Sequence, residues 1–446
     1  MIKIIQRLLR SKNIKNSLWI IGEQIFQMLI SLIVGILTAR YLGPSNYGTL
    51  NYTASFVTFF TAIVTLGMEG VVIKKLIERP DEEGRYLGGC IALRFICSVL
   101  TIVILPVLIY VLNPSEPIKV VLVLLQSLQL AFKSVQILDS WFQRHLKSRF
   151  VSVGKMIACL IVSAYKVFLL MTSKDIIWFA FSNSLTDLVI SILLYVFYSR
   201  ESKQKLLPDI SKGREVLAES YHFVISGLMV SIYSQMDKIM IGQMLSDTDV
   251  GLYTTAVTIC GMWIFIPLAI INSYRPLILE HKKNGQEKLY LLRLKQLYSV
   301  IIWLCLGISF LIFIFSGFII RILFGEAYIG SIGVLRTAIW FETFSVIGTA
   351  RGIWILAENM NKYVKYCLMI GAGVNLILNL VMIPVMGITG AAIATLITQI
   401  TTSIIAPLFF RETRVHSKIV FEAFTLKWLF GNREELQCLT DCAKKD

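Results

Sequence analysis

Six basic side chains stand inside long apolar stretches of this 446-residue chain: Arg94, Lys133, Lys166, Lys238, Arg336 and Arg351. Acidic groups share those stretches, namely Glu23, Glu69, Asp187, Asp237 and Glu342, with Asp139 and Glu219, and the imidazole of His222, nearer the ends. If the stretches cross a bilayer, each charge costs at least about 2.5–3.5 kcal/mol at a helix centre, so it faces a partner or a polar cavity. A cation in such a cavity replaces the lost hydration of an anionic ligand, and an arginine meets its oxygens in pairs. A carboxylate there carries a proton or an ion, which makes Glu23, Asp187, Asp237 and Glu342 candidates for ion coupling.

Each group also has a structural reading, as half of an inter-helix pair. Asp237 and Lys238 are adjacent, so on a helix they point about 100° apart and do not pair well with each other. Arg336 and Glu342 are six residues apart, which is not same-face spacing. Arg351 lies in GTARG (348–352), where small residues let helices approach closely, so a packed and paired arginine is expected there. Arg94 could reach the cytoplasmic interface, as could Lys133, and Lys166 the outer one. Asn375 and Asn379 share a helix face and are expected to glue helices together.

No arrangement for covalent chemistry is present. The chain has no phosphate-binding glycine loop of the P-loop kind, and its four histidines are scattered without metal-ligand spacing. Cys438 and Cys442 form CxxxC without nearby histidines, which argues against zinc. No catalytic residue, metal or cofactor is expected.

The elements that must position these charges follow from composition. Hydrophobic residues make up 56% of the chain and charged ones 16%. The mean hydropathy is +0.71. A soluble globular chain carries about 25% charged residues, so a soluble enzyme is excluded. Apolar runs of bilayer-spanning length fall near 17–39, 47–70, 87–111, 118–141, 152–172, 176–198, 217–243, 250–274, 297–320, 332–356, 363–384 and 389–410. Gly and Pro punctuate the turns, as in Gly43-Pro44 and Gly387 to Gly390. The fold class expected is an all-α polytopic membrane protein with twelve transmembrane helices. Pro106, Pro267 and Pro384 should kink their helices.

The formal charge of +15 would suggest nucleic acid in a soluble protein, but its placement says otherwise. With twelve spans, 33 of the 43 Lys/Arg fall on the side of the termini, four on the other side (Arg40, Lys119, Lys174, Arg321) and six inside spans. Basic residues accumulate on the cytoplasmic side, so both termini are expected there and no nucleic-acid partner is implied. The N-terminus, MIKIIQRLLRSKNIKN, reads as a basic amphipathic arm retained on the membrane surface.

Six spans precede the basic stretch 199–216 and six follow it. Residues 36–54, ILTARYLGPSNYGTLNYTA, resemble 239–256, IMIGQMLSDTDVGLYTTA, and Gly48 and Gly251 lie 203 residues apart. An even number of spans intervenes, so the halves are parallel repeats. The domains expected are residues 1–210, 211–411 and a cytoplasmic tail 412–446.

Four segments, ARYLGPSNYGTLNYTASF (39–56), LGMEGVVIKKL (66–76), SQMDKIMIGQMLSDTDVGLYTTAV (234–257) and NLILNLVMIPVMGITGAAIATLITQI (375–400), together resemble the polysaccharide-transporter branch of the multidrug/oligosaccharidyl-lipid/polysaccharide flippase superfamily. The resemblance runs from the first span to residue 411. It implies two six-helix lobes around a central cavity, working by alternating access. It implies translocation of undecaprenyl-diphosphate-linked oligosaccharide units from the inner to the outer leaflet of a bacterial plasma membrane, for O-antigen, capsule or exopolysaccharide. Arg94, Lys133, Lys166, Lys238, Arg336 and Arg351 are then the candidates to grip the diphosphate or sugar. The partners implied are this lipid-linked oligosaccharide and the lipid bilayer, with polysaccharide polymerase and assembly proteins as further candidates. Two alternatives stay open: a multidrug/cation antiporter of the same superfamily, which would want acids and aromatics in its cavity, and a membrane polysaccharide polymerase, which would want a sizeable outer loop.

Overall fold

The computed structural model describes residues 12–360, 362–425 and 428, and side chains from residue 19. The N-terminal arm before residue 12 and the cysteines Cys438 and Cys442 lie outside the described residues. Helices account for nearly all of what is described, and no strand occurs among the described residues.

In chain order the helices are α1 (Lys12–Thr65), α2 (Glu69–Glu78), α3 (Glu83–Leu112), α4 (Pro117–Lys133), α5 (Leu138–Arg144), α6 (Ser148–Met171), α7 (Ile176–Glu201), α8 (Ile210–Met244), α9 (Asp247–Gly261), α10 (Phe265–Lys283), α11 (Glu287–Leu323), α12 (Ser331–Ala357), α13 (Lys362–Ile400) and α14 (Arg414–Ala423). Each of the twelve apolar runs falls mainly on helix, with breaks at residues 66–68 in the run 47–70, at residue 134 in the run 118–141 and at residues 262–264 in the run 250–274. Two pairs of runs are joined across a single residue. Gly43 breaks α1 with φ +69°, and Gly387 breaks α13 with φ +59°. Glycine enters that region without steric cost, and Pro44 then starts the second segment at the position where a missing N–H costs nothing.

Among the described residues eight helices are long and apolar enough to cross a membrane, or up to nine if α9 and α10, bent by 41° with respect to each other, count as one. The chain is an all-α polytopic membrane protein; the count of twelve rests on the sequence. Helix α12 does not qualify by composition, because Arg336, Glu342 and Arg351 all lie along it.

The surface explains the composition. Val103, Val107, Tyr110 and Val111 of α3, and Phe310, Phe315 and Phe318 of α11, are exposed. Apolar patches of this extent are rare on soluble monomers and suit hydrocarbon. The buried side is where small and polar residues gather. Ser98, for example, donates to the Leu130 carbonyl at 2.8 Å and so ties α3 to α4.

The chain divides into two compact units, Met1–Gly251 and Leu252–Asp446. The repeat alone places a boundary at 210. The structural boundary falls later because α8 packs along α1 and α3 of the first unit. Three glycines of α3 let the stretch that leads into α8 approach closely. A Cβ on Gly84, Gly88 or Gly89 would overlap the main-chain carbonyls of Lys205, Leu207 and Asp209 respectively. Gly84, which falls between the apolar runs 47–70 and 87–111, belongs to the first turn of α3.

In the second unit α11, α12 and α13 pack together, and α14 lies against α11. Residues 414–423 therefore form a docked helix inside what the sequence reads as a tail. Its buried face carries His416, Ser417, Ile419 and Val420. His416 Nε2 is 2.7 Å from the Tyr298 hydroxyl, and Ser417 donates to the Ile404 carbonyl at 2.9 Å.

Candidate functional site

A cavity of about 610 Å³ opens within the first unit. Its walls are the second segment of α1 with Thr58, Thr61 and Thr65, the start of α2 with Glu69, the end of α4 with Lys133, and the middle of α8 with Ser231. The three threonines fall at i, i+3 and i+7, so helical geometry puts them on one face. Thr61 donates to the Val57 carbonyl at 2.9 Å, which occupies its hydrogen and leaves its oxygen as an acceptor.

Two ion pairs stand at this cavity. Lys133 Nζ lies 3.8 Å from Asp187 Oδ2, and the Asp187 side chain also accepts from Gln136 at 2.8 Å. That is a long contact, so the ammonium keeps hydrogens free for another partner. The second pair joins Arg94 Nη2 to Glu69 Oε1 at 3.3 Å. Arg94 is 2% exposed, and its Nε has no partner. It therefore acts on the cavity through Glu69 rather than by lining it.

The other sequence candidates lie elsewhere. Lys166 lines a separate cavity of about 120 Å³ together with Gln27, Ser31, Lys155, Ser163 and Thr186. Glu23 is buried nearby, with Lys155 and Asp139 as its charged neighbours. Asp237 is buried and Lys238 half-buried on α8, and neither lines the larger cavity.

In the second unit, Arg336 is exposed, its Nε donating to Ser316 Oγ at 2.9 Å and its guanidinium 5.8 Å from the Phe313 ring centroid. Arg351 is buried and donates to the Thr402 carbonyl. Glu342 is buried beside the thiols of Cys260 and Cys305, without an ion-pair partner among the described residues. The six basic candidates thus do not converge. Lys133 lines the larger cavity, and Arg94 stands one carboxylate behind it.

Sequence reasoning missed a polar cluster at the end of the first unit that the charge count places outside. Lys119, only 2% exposed, holds Asp247 at 2.8 Å and Glu116 at 2.9 Å. Asp247 also accepts from Thr49 at 2.6 Å. Tyr52, fully buried, receives hydrogen bonds from Asn113 at 3.0 Å and from Gln243. The Lys119 ammonium lies 4.7 Å from the Tyr52 ring centroid. This ties α1, α4 and the α8–α9 turn. Lys119 and Asp247 carry a signal of their own, since each flanks an apolar run, but not of their pairing.

The opposite end of the unit has its own lattice of charges. Lys75 bridges Glu215 at 2.8 Å and Glu219 at 2.5 Å, and Glu215 also accepts from the Tyr86 hydroxyl at 3.0 Å. Trp141 and Arg144 both bind Glu83. Helix α8 is therefore fastened to the first unit at both ends and borders the cavity between them.

Among the described residues no group of three His, Cys, Asp or Glu side chains could hold a metal ion. Away from the spans, burial and the nearby Arg351 charge push the His416 imidazole well below its usual range, so it is neutral at pH 7.

Residues 14–282 match the family described as "Polysaccharide biosynthesis protein". The "Probable low-salt glycan biosynthesis flippase Agl15" of Haloferax volcanii is 24% identical over 373 residues, covering 80% of this chain and 75% of that protein. The "Putative O-antigen transporter" of Escherichia coli is 21% identical over 409 residues, covering 90% of this chain and 97% of that protein. Among solved structures, the lipid II flippase MurJ in an inward closed conformation superposes with a TM-score of 0.69 at 17% identity, over 94% of this chain and 95% of that one. An inward-facing multidrug resistance MATE transporter superposes with a TM-score of 0.64 at 14% identity, over 89% and 96%. These two likenesses establish a shared fold.

Proposed function

Because the chain belongs to the family of polysaccharide biosynthesis proteins, we propose that it is a flippase of glycan biosynthesis that carries a lipid-linked oligosaccharide across the membrane. The names of the glycan flippase and the O-antigen transporter support the transport reading over that of an enzyme, and the lipid II flippase fold agrees with it. The likeness to a multidrug transporter is one of fold alone, which leaves the drug antiporter without support of its own.

The finer reading is that the cargo is an undecaprenyl-diphosphate-linked repeat unit, taken from the inner to the outer leaflet of a bacterial plasma membrane, with both chain termini cytoplasmic. The observation that carries it is Lys133 on the wall of a cavity of about 610 Å³. That volume is in the range of small-molecule sites, about 300–1,000 Å³, and suits a diphosphate with its first sugars. The diphosphate competes with Asp187 for the Lys133 ammonium, and the weak 3.8 Å contact makes that exchange inexpensive. Threonine oxygens on the α1 face accept from sugar hydroxyls. The polyprenyl tail remains in lipid. Release follows when the cavity opens at the far end and Asp187 regains its lysine.

Lys133→Gln should lower surface glycan and leave lipid-linked repeat units in the inner leaflet, while Lys133→Arg retains part of the export. Normal surface glycan in both the Lys133→Gln strain and a gene deletion, with no second flippase present, would overturn the reading.

A further inference from the structure

Lys166 has no acidic partner among the described residues, yet it does not turn to the bilayer surface. It lines the cavity of about 120 Å³ enclosed by α1, α6 and α7. Lys155, Cys159, Ser163 and Lys166 all line it from α6. Lys155 and Lys166 are eleven residues apart, about 20° in helical angle and about 16 Å along the axis, so they mark the two ends of one stripe. From α1 come Gln27 and Ser31, at i and i+4 on one face.

Charge is balanced at one end of this stripe and not at the other. Lys155 Nζ lies 3.4 Å from Asp139 Oδ2, and Glu23 is close by. No carboxylate lines the cavity around Lys166. Gln27, Ser31 and Ser163 make no hydrogen bond within the described residues, so an amide and two hydroxyls are free to donate beside the ammonium. Thr186 has spent its hydrogen on the Ser182 carbonyl at 2.9 Å. An unneutralised ammonium at membrane depth is costly, and Lys166 with the free hydrogens of Gln27, Ser31 and Ser163 gives the cavity an excess of donors and a positive charge that an anion would match.

Size narrows the class. The space of about 120 Å³, against about 610 Å³ for the larger cavity, takes a small inorganic anion and part of its hydration shell. It is too small for a sugar diphosphate. We propose that Lys166, with Ser163, Ser31 and Gln27, forms a binding site for a small monovalent inorganic anion of the halide class, separate from the larger cavity. Ser31 is exposed and stands at the mouth.

The test uses the purified full chain in lipid nanodiscs. Its unfolding is followed by scanning calorimetry while sodium bromide replaces sodium gluconate at constant ionic strength. The expected result is a saturable rise in unfolding temperature with bromide. Lys166→Met should unfold cooperatively in gluconate and show no bromide response. Ser163→Ala should raise the half-saturating bromide concentration severalfold. An equal bromide response in wild type and Lys166→Met would overturn the proposal. So would a response to pH alone, lost in Lys166→Met and independent of bromide, which would make Lys166 a proton site instead. So would saturation by a soluble diphosphate but not by bromide.

Discussion

Replacing Asp247 by Asn should weaken the first unit in a way that depends on Lys119. The ammonium of Lys119 is 2% exposed and has two carboxylate partners. Glu116 has a side chain 48% exposed, so that contact resembles a surface pair, worth about 0–1 kcal/mol. Asp247 is 14% exposed and lies 2.8 Å away, so little screening intervenes. Removing one partner of a buried pair costs about 3–5 kcal/mol, because it strands the other charge. Glu116 stays to offset part of this, and Thr49 keeps an amide oxygen to bond. The net loss expected for Asp247→Asn is therefore about 2–3 kcal/mol. Lys119→Met removes the stranded charge, so the double variant should recover most of the loss, giving a coupling energy of about 2 kcal/mol. The assay is equilibrium unfolding of the four proteins of the cycle in mixed micelles. Additive losses, or an Asp247→Asn loss below about 0.5 kcal/mol, would refute the claim that this pair is desolvated and mutually dependent.

Gly48→Ala should destabilise by more than the usual 1–3 kcal/mol of overpacking, since its Cβ would overlap the Asp247 main chain rather than a movable side chain. The loss is measurable in the same unfolding assay. His416→Gln should flatten the acid limb of stability. His416 is held neutral when folded, while the unfolded histidine takes a proton near pH 6.5, so stability declines below that pH by up to about 1.4 kcal/mol per pH unit. The variant's stability between pH 5 and 7 should lack this component, and an unchanged slope would remove His416 from the account. Arg336→Gln should leave export and stability within about 0.5 kcal/mol of wild type, because its side chain is exposed and bonds a single serine. Complementation and unfolding check both.

The helices were legible because spans are written in composition and length. So were the two breaks at Gly43 and Gly387, where glycine is followed by proline in one case and by a short glycine-rich turn in the other. The docked helix α14 was not, because a charged amphipathic segment after the last apolar run reads the same whether it packs or hangs free. Only the fold reveals that His416 meets Tyr298. The charges inside the spans were found by type, but their partners were not. Arg94 and Glu69 are 25 residues apart on different helices, and helical periodicity identifies faces without saying what they meet. The same blindness hid the larger cavity, whose threonine stripe looks like ordinary small-residue packing until α8 is seen across from it.

Gly48 and Gly251 occupy matching places in the two copies of the repeated turn, and these copies touch. A Cβ on Gly251 would overlap the Pro44 carbonyl, just as one on Gly48 would overlap that of Asp247. Each copy therefore presents to the other the surface that the other presents to it, as subunits of a twofold dimer do across an isologous contact. The chain forms in cis the kind of interface that two identical proteins form in trans. Such a contact is self-complementary: a side chain at position 48 is barred by the Asp247 carbonyl, and one at position 251 by its repeat counterpart, the Pro44 carbonyl. The small turn that betrays the repeat in the sequence is, in the folded chain, the place where the repeat recognises itself.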